Sequence, residues 1–390
     1  MIPHMRTMHV KILHNFRCQQ TKMAASIAKQ ISRANWRTIG VCRNFKVITQ
    51  CRTFSSSQLY VADYGDPNTV VKSETVNVPS SLSSRQVLVK MMMSPINPSD
   101  INMIEGTYFV QPPLPAILGN EGVGQIIGMG QDVKGLNEGD WVIPADTAFG
   151  TWQHYKITGD EDVIKVPNDI PVLSAATLSV NPCTAYRMLK DYVDLNSGDI
   201  VIQNGANSGV GISVIQLAKE WNLKTVNVVR NRPDFDKLKE YLISLGADHV
   251  VTEDFLRKPE MKSMMKDLGK KPQLAFNCVG GKSATELIRY LGDGGTMVTY
   301  GGMSRRPFMA PTGALIFKEV KLCGYWNTVW NKRHARGIER FEMLADLCRM
   351  VREGKLSPPQ CEFFSLEEYK SAIKQATEGF KGGKMVFKID

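Results

Sequence analysis

Three glycines stand where a strand gives way to a helix, in a pattern that suits phosphate binding. Gly205, Gly209 and Gly211 separate the apolar run Ile200–Ile202 from a helical segment that begins near Val210. Glycine is needed because the backbone must approach a pyrophosphate closely, while the helix N-terminus offers free N–H groups and the positive end of its dipole. The turn predicts a dinucleotide site, although such turns also occur in methyltransferases or merely close a loop.

Two arginines follow the next strand-like run, Thr225–Val229. This run ends about 20 residues beyond the last glycine, where an acidic residue would bind the ribose 2′-hydroxyl of NAD. Arg230 and Arg232 stand there instead, and a guanidinium group suits a 2′-phosphate. We therefore expect NADPH as the cofactor, the alternative being an ordinary solvated strand end.

The elements that must position this turn recur at regular spacing. Strand-like runs with helical segments between them begin roughly every 25 residues, a spacing that fits serial βα units feeding one doubly wound parallel sheet. The runs begin near Ile200, Thr225, His249, Leu274, Thr296 and Lys321.

The preceding residues predict a second domain. Val87–Met92, Gly124–Ile127 and Trp141–Pro144 are short apolar runs separated by turns rich in proline and glycine, which favours a mostly antiparallel β domain. Asn181 before Pro182 is typical of an N-cap, and starts a helix that leads into the nucleotide domain.

A helix at about 338–351 and short strands that end at 384–388 return the chain to the first domain. We thus predict an α/β protein with a β domain at 55–180, completed by 328–390, and a nucleotide domain at 181–327.

Residues 1–54 have the composition of a mitochondrial targeting leader. They hold ten Lys or Arg and no Asp or Glu, so the rest of the chain carries 38 basic and 38 acidic residues. Lys22, Lys29 and Arg33 share one side of a helix opposite an apolar side. The alternatives are a nucleic-acid arm and a membrane-surface helix. We predict a soluble mitochondrial matrix protein, without a membrane span and without a nucleic-acid partner.

The motifs together resemble the medium-chain dehydrogenase/reductase superfamily over nearly the whole chain after the leader. The matching pieces are Asn97-Pro-Ser-Asp, Leu118-Gly-Asn-Glu-Gly-Val-Gly, Gly139-Asp-Trp-Val-Ile-Pro, the glycine turn, Leu245-Gly-Ala-Asp and Gly383-Lys384. Within it the chain is most similar to mitochondrial 2-enoyl thioester reductases. The distinctive pieces are Glu105-Gly-Thr-Tyr, Val180-Asn-Pro-Cys-Thr-Ala-Tyr-Arg, Val229-Arg-Asn-Arg-Pro-Asp and Thr299-Tyr-Gly-Gly-Met. The resemblance implies a Rossmann sheet plus a GroES-like catalytic β domain.

The resemblance also implies a chemistry that uses no metal. Zinc enzymes of the superfamily have a cysteine near the Asn97-Pro-Ser-Asp position and a histidine where this chain has Asn120; neither is present. Charge that builds on a substrate oxygen then needs a protein hydrogen-bond donor. Tyr108 matches the tyrosine that does this in the resembling reductases. A tyrosine hydroxyl is protonated at neutral pH and donates without prior activation.

The remaining expectations follow from the same resemblance. The expected substrate is a trans-2-enoyl thioester of acyl carrier protein or CoA, and the expected assembly is a homodimer through an edge strand near Val320–Cys323. A basic entrance would attract the acidic carrier, with Arg305, Arg306, Lys332, Arg333 and Arg336 as candidates. The cofactor contacts would be Asn181, Asn207, Ser208, Gly209, Val210, Arg230, Asn231, Arg232, Tyr300, Gly301, Gly302, Met303, Tyr325, Trp326, Asn327 and Lys384.

Two other functions remain open at this point. An NADPH:quinone oxidoreductase shares the fold and the glycine turn but needs no proton donor at Tyr108. A non-catalytic NADPH-binding regulatory protein would also keep the turn, although the formally neutral body argues against a nucleic-acid partner.

Overall fold

The computed structural model describes residues 53–378 and 382–389. The predicted helix of the leader lies outside the described residues. Thr53 and Phe54, the last two residues of the predicted leader, belong to the first strand of a sheet.

Short strands and turns make up the first part of the described chain, as the proline- and glycine-rich punctuation predicts. The strands are β1 (Thr53–Val61), β2 (Val71–Pro79), β3 (Gln86–Pro95), β4 (Ala116–Ile117), β5 (Val123–Met129), β6 (Trp141–Pro144), β7 (Tyr155–Gly159) and β8 (Val163–Val166). The helices among and after them are α1 (Pro67–Val70), α2 (Pro98–Ile104) and α3 (Val172–Ala176).

Strands and helices then alternate. The strands are β9 (Ile200–Asn204), β10 (Lys224–Val229), β11 (His249–Thr252), β12 (Leu274–Asn277), β13 (Thr296–Thr299) and β14 (Lys321–Gly324). The helices are α4 (Asn181–Asp191), α5 (Gly209–Glu220), α6 (Phe235–Leu245), α7 (Pro259–Asp267), α8 (Gly281–Tyr290), α9 (Thr312–Lys318) and α10 (Asn327–Arg333).

These six strands form one parallel sheet in the order β11-β10-β9-β12-β13-β14. This is the doubly wound strand order of dinucleotide-binding sheets. Starting from β9, the chain adds β10 and β11 on one side and then β12, β13 and β14 on the other. The predicted Rossmann sheet is confirmed. All six strands point the same way, so the loops after β9, β10, β12, β13 and β14 gather at one edge of the sheet.

The last part of the chain returns to the antiparallel region through α11 (Ile338–Arg352), β15 (Cys361–Phe364), α12 (Tyr369–Thr377) and β16 (Lys384–Lys388). β16 pairs antiparallel with β3 and parallel with β15. The larger sheet has the order β15-β16-β3-β5-β6-β8, with β7 also on β3, while β2, β1 and β4 form a smaller sheet. This mostly antiparallel architecture confirms the second half of the predicted fold class. Because β16 pairs with the last residues of β3, it carries Lys384 to the end of β3 that leads toward Asn97.

Helix α4 joins the two sheets through a continuous apolar core. Met188 of α4 packs in one buried cluster with Val214 of α5 and Leu347 of α11. The prediction that Asn181 caps this helix is wrong by one residue: Val180 is the N-cap, and Asn181 is the first helical residue. Asn181 is buried, and its side chain is directed to another amide instead of to the helix backbone.

Candidate active site

The glycine turn is shaped by close contacts that exclude side chains. Gly205 has a φ of +58°, and a Cβ there would come within 2.4 Å of Cys278 Sγ. A Cβ on Gly211 would lie 2.5 Å from the carbonyl oxygen of Ala206. Both glycines are therefore required by the packing of the turn itself, whereas the sequence predicted glycine here for the close approach of a pyrophosphate.

The start of α5 offers the hydrogen-bond donors that an anion needs. Ser208 is the N-cap, and its hydroxyl accepts the Gly211 N–H at 3.2 Å. Gly209 and Val210 lie in the first turn, where a helix has no internal acceptors for its N–H groups. Asn207 is exposed next to them. The predicted pyrophosphate contacts are thus contiguous and oriented by one helix end.

Tyr300 closes the turn from the loop after β13. Its hydroxyl oxygen is buried beside the Cys278 thiol and the Ser208 hydroxyl, but it makes no hydrogen bond of good geometry to any of the described residues. Burial raises the pKa of Tyr300 well above its ordinary value, so the phenol stays neutral. A buried hydroxyl without a partner is costly, and a bound polar group at the turn would satisfy it.

The residues after Tyr300 are more open. Gly301 packs on Cys278, Gly302 and Met303 are exposed, and the Met303 N–H donates to the Cys278 carbonyl at 2.9 Å. The loop after β13 is therefore tied to the loop after β12 by its backbone, while the Met303 side chain points to solvent.

The three residues after β10 lie on the surface. Arg230 and Asn231 are exposed, and Arg232 is half-buried. Arg232 makes a two-pronged ion pair with Asp234, which lowers the pKa of that carboxyl, and Asn231 donates to Asp254. Both arginines sit at the carboxyl end of the second strand, as predicted, with Arg232 already held by an acid.

A second group of polar side chains is buried at the start of α4. The Asn97 Oδ1 accepts from Lys384 Nζ at 2.5 Å and from Asn181 Nδ2 at 3.4 Å. Asn181 also abuts the glycine turn, since a Cβ on Gly209 would lie 2.9 Å from its Cγ. The structure thus brings together predicted contacts from three distant parts of the chain.

Two buried carboxyl groups support these side chains. Glu121 Oε2 accepts from Asn97 Nδ2 at 2.8 Å, and Glu121 Oε1 accepts the Val180 N–H at 2.8 Å. Asp100 accepts the Asn97 N–H at 2.7 Å and binds both N–H groups of Asn120, from backbone and side chain. Every carboxylate oxygen of the pair therefore has at least one donor.

Burial changes the proton affinity of the charged members of this group. Burial raises the pKa of Asp100 to about 7 and also raises the pKa of Glu121. Burial lowers the pKa of Lys384, and the nearby Glu121 and Asp100 charges oppose that change. The Lys384 ammonium consequently favours the ionised form of each carboxyl group and is favoured by them in turn, whereas the charge of Glu121 raises the pKa of Asp100 further.

Tyr108 lies in a tight turn after α2. Gly106 turns the chain with a φ of +71°, and the N–H of Tyr108 donates to the Asn102 carbonyl at 3.1 Å. The indole N–H of Trp326 donates to the Tyr108 hydroxyl oxygen at 2.8 Å, with the two rings edge to face at 6.1 Å. Since Trp326 follows β14, this bond joins Tyr108 to the edge of the sheet where the nucleotide loops meet.

The other residues after β14 form a second link to the start of α4. Tyr325 is buried and donates from its hydroxyl to Asn327 Oδ1 at 2.9 Å. Asn327 in turn donates to the Ser179 carbonyl at 3.1 Å. Burial raises the pKa of Tyr325 well above its ordinary value. These side chains brace the segment before Asn181, and Trp326 is the one of the three that contacts Tyr108.

Three of the five basic residues predicted for the entrance already pair with acids. Arg305 pairs with Glu105 at 2.5 Å, Lys332 with Asp146 at 3.6 Å and Arg336 with Glu161 at 2.9 Å. Arg306 and Arg333 are exposed. Pairing reduces the positive field that the sequence alone led us to expect.

Residues 53–378 and 382–389 hold neither a metal-binding cluster nor a membrane-spanning helix. Those residues contain no group of three or more His, Cys, Asp or Glu side chains arranged to hold a metal ion. They also contain no helix long and apolar enough to cross a membrane.

Sequence reasoning missed the buried residues that hold the site together. Asn97, Asp100, Asn120 and Glu121 are buried and belong to the recognised motifs, but the sequence assigned none of them a role. The available signal was the density of polar residues within otherwise apolar motifs, because polar side chains are buried only with partners.

Comparison with known proteins defines first the class and then the family. Residues 83–168 match the family described as "Alcohol dehydrogenase GroES-like domain", and residues 209–342 match "Zinc-binding dehydrogenase". The protein is therefore an oxidoreductase of the medium-chain dehydrogenase/reductase class.

Its relatives narrow this class. The chain is 50% identical over 328 residues to the mitochondrial enoyl-[acyl-carrier-protein] reductase of Homo sapiens, covering 84% of this chain and 87% of that protein. The solved Etr1p/NADP/crotonyl-CoA complex is 34% identical, with a TM-score of 0.80, covering 86% of this chain and 100% of that one. The Etr1p/Etr2p heterodimer of Candida tropicalis, a mitochondrial 2-enoyl thioester reductase, matches at 34% identity, a TM-score of 0.79 and the same coverage.

The chain belongs to the mitochondrial enoyl-[acyl-carrier-protein] reductase family. The resemblance inferred from the motifs is thereby confirmed, and so is the prediction of a mitochondrial protein.

Proposed function

We propose that this protein reduces trans-2-enoyl thioesters of acyl carrier protein or CoA to saturated acyl thioesters, with NADPH as reductant. Support comes from the family and from the solved complex of Etr1p with NADP and crotonyl-CoA. Bound NADPH supplies the hydride that the β-carbon of the substrate receives. The protein's own part is to hold both reactants, stabilise the charge that moves to the thioester oxygen and supply the α-proton.

The residues present fit a phosphorylated dinucleotide. Gly209 and Val210 at the start of α5, with Asn207 and Ser208, would hold the pyrophosphate, and the Tyr300 hydroxyl has a hydrogen bond to give. Arg230, Asn231 and Arg232 would hold the 2′-phosphate, for which Arg232 must share its guanidinium with Asp234 or leave it. Asn181 and Lys384 would contact the nicotinamide end.

One contact carries the assignment of Tyr108: the Trp326 indole N–H donates to its hydroxyl oxygen at 2.8 Å. Because the oxygen accepts this bond, its own hydrogen is free to donate to a substrate oxygen. Tyr108 would therefore stabilise the enolate-like thioester oxygen, and Tyr108 or a water hydrogen-bonded to it would deliver the α-proton.

A spectrophotometric assay tests this function against the other two. NADPH oxidation should be rapid with C4, C10 and C16 enoyl-CoA, slow with a quinone, and slower with NADH than with NADPH. Quinone turnover that exceeds enoyl-CoA turnover would assign the protein to the quinone oxidoreductases. NADPH binding without turnover of either substrate would indicate a regulatory protein.

We also propose a homodimer through the edge of the parallel sheet. β14 is the last strand of that sheet, and Leu322 on it is exposed. Ile316 and Phe317 of the neighbouring helix α9 are 62% and 82% exposed, which is unusual for large apolar side chains. Phe317→Asp should convert a dimer to a monomer in size-exclusion chromatography with light scattering, whereas an unchanged mass would place the interface elsewhere.

A further inference from the structure

The buried group around Asn97 contains a chain of hydrogen bonds with only one consistent orientation. Lys384 is a donor alone, and a carboxylate is an acceptor alone. The Asn97 oxygen must therefore face Lys384, and the Asn97 NH₂ must face Glu121, as the 2.5 Å and 2.8 Å contacts have it. Turning the amide over would place its NH₂ against the ammonium and its oxygen against the carboxylate.

Glu121 also fixes the start of α4 directly. Its second oxygen accepts the backbone N–H of Val180 at 2.8 Å, and Ser179 Oγ lies 3.5 Å from the same oxygen. Val180 precedes Asn181, whose side chain lies against both Asn97 and Gly209. One carboxylate therefore holds the backbone on one side of Asn181 and, through Asn97, the side chains of Asn181 and Lys384.

We propose that Glu121 is a positioning residue: its negative charge orients Asn97 and, through Asn97, holds Asn181 and Lys384 in place for contact with the cofactor. The proposal rests on the proposed function, because it takes Asn181 and Lys384 as cofactor contacts. Glu121 itself is fully buried and acts only through these neighbours.

Three groups face the Lys384 ammonium from the elements packed around it. They are Glu121 between β4 and β5, Asp100 on α2 and Cys361 on β15. Glu121 is the stronger of the two carboxyl influences, and it favours the charged lysine against the effect of burial. Removing its charge should therefore let Lys384 lose its proton at a lower pH.

The first test is the pH dependence of NADPH binding, followed by fluorescence titration between pH 6.5 and 10. Wild-type affinity should fall at high pH as Lys384 deprotonates. Glu121→Gln should move the midpoint of that fall down by about one pH unit or more, and Lys384→Met should remove the fall. Glu105→Gln, the same substitution at a carboxylate outside this group, should keep the wild-type midpoint. A Glu121→Gln midpoint equal to that of the wild type overturns the proposal.

The second test needs no cofactor and uses thermal unfolding of the apoprotein. In Glu121→Gln, the new NH₂ must face one of two donors. If it faces the Val180 N–H, that N–H loses its acceptor. If it faces Asn97, the Asn97 oxygen must turn to accept from it, which places the Asn97 NH₂ against the Lys384 ammonium. With Lys384→Met also present, Asn97 can turn freely, so the double variant should lose much less Tm than the two single losses combined. Additive losses overturn the proposal, because they would mean that Glu121 and Lys384 are uncoupled.

The two tests separate this proposal from the proposed function. If wild-type protein binds no NADPH at any pH, the function fails, yet the apoprotein cycle still measures the coupling of Glu121 with Lys384. If NADPH binds, and Glu121→Gln leaves the pH midpoint of the affinity loss unchanged, the proposed function is supported and the positioning role of Glu121 is rejected.

Discussion

The two ends of the proposed cofactor site differ in how their polar side chains are held. At the nicotinamide end, Asn97, Asp100 and Glu121 are each at most 2% exposed and each has several hydrogen-bond partners. At the 2′-phosphate end, Arg230 and Asn231 are exposed. The buried end is rigid because any misplaced polar group there would lack a partner, whereas solvent can satisfy the exposed end in many arrangements.

This difference suggests a division of work between the ends. A rigid end can hold a donor and a cofactor ring in the geometry that a transition state needs, and so affects turnover. The exposed guanidinium of Arg230, together with the half-buried guanidinium of Arg232, can select a phosphate by charge, and so affects cofactor affinity. Five substitutions, two of them at the arginines after β10, test the division in order of decreasing effect.

Tyr108→Phe should give the largest effect. Loss of the one proposed donor to the thioester oxygen should lower kcat with crotonyl-CoA roughly 10²–10³-fold, the usual cost of removing such a group. The KM for NADPH should change little, because the ring and its contact with Trp326 remain. Full turnover by this variant would remove Tyr108 from the mechanism.

Substitution of the arginines should come next. Arg230→Gln or Arg232→Gln should raise the KM for NADPH about 10–100-fold, the range expected for one hydrogen bond to a charged group. The KM for NADH should stay near its wild-type value, because NADH has no 2′-phosphate. An equal rise for both cofactors would show that the arginines support the fold instead of selecting the phosphate.

Trp326→Phe should have a moderate effect. This change keeps an aromatic ring but removes the N–H that donates to Tyr108, so kcat should fall roughly 2–10-fold. Phe109→Leu is the matched control. The Phe109 ring packs edge to face with the same indole, with the ring centroids 5.4 Å apart, and takes no part in that hydrogen bond. Equal losses in the two variants would assign the effect to packing.

The exposed ion pair between Arg305 and Glu105 should matter least. It joins the loop after β13 to the loop before Tyr108, but the Arg305 side chain is 69% exposed. Arg305→Gln should therefore lower the free energy of unfolding by at most about 1 kcal/mol, as measured by urea denaturation, with a smaller effect at high salt. A loss that salt leaves unchanged would indicate a structural role for the arginine stem.

The nucleotide sheet could be predicted closely from the sequence, and the buried polar group could not. Val226, Val250 and Leu274 lie on parallel strands that are buried on both faces. Strands of this kind appear in a sequence as short apolar runs at regular intervals, so they can be predicted. Lys384 meets Asn97 only because β16 inserts beside β3, and no local pattern specifies that pairing. Asn181 shows the same limit: its position before Pro182 predicted a cap, but a tertiary partner, Asn97, determines where its side chain lies.

The most direct test of the division is a double-variant cycle of Tyr108→Phe with Arg230→Gln, measured as kcat/KM for NADPH at saturating crotonyl-CoA. If the two ends act independently, the double variant should lose the product of the two single losses to within about twofold. The Tyr108 loss should appear in kcat and the Arg230 loss in KM. A double variant whose kcat/KM equals that of the more impaired single variant would contradict the account. A Tyr108→Phe enzyme whose defect is entirely in the KM for NADPH would also contradict it.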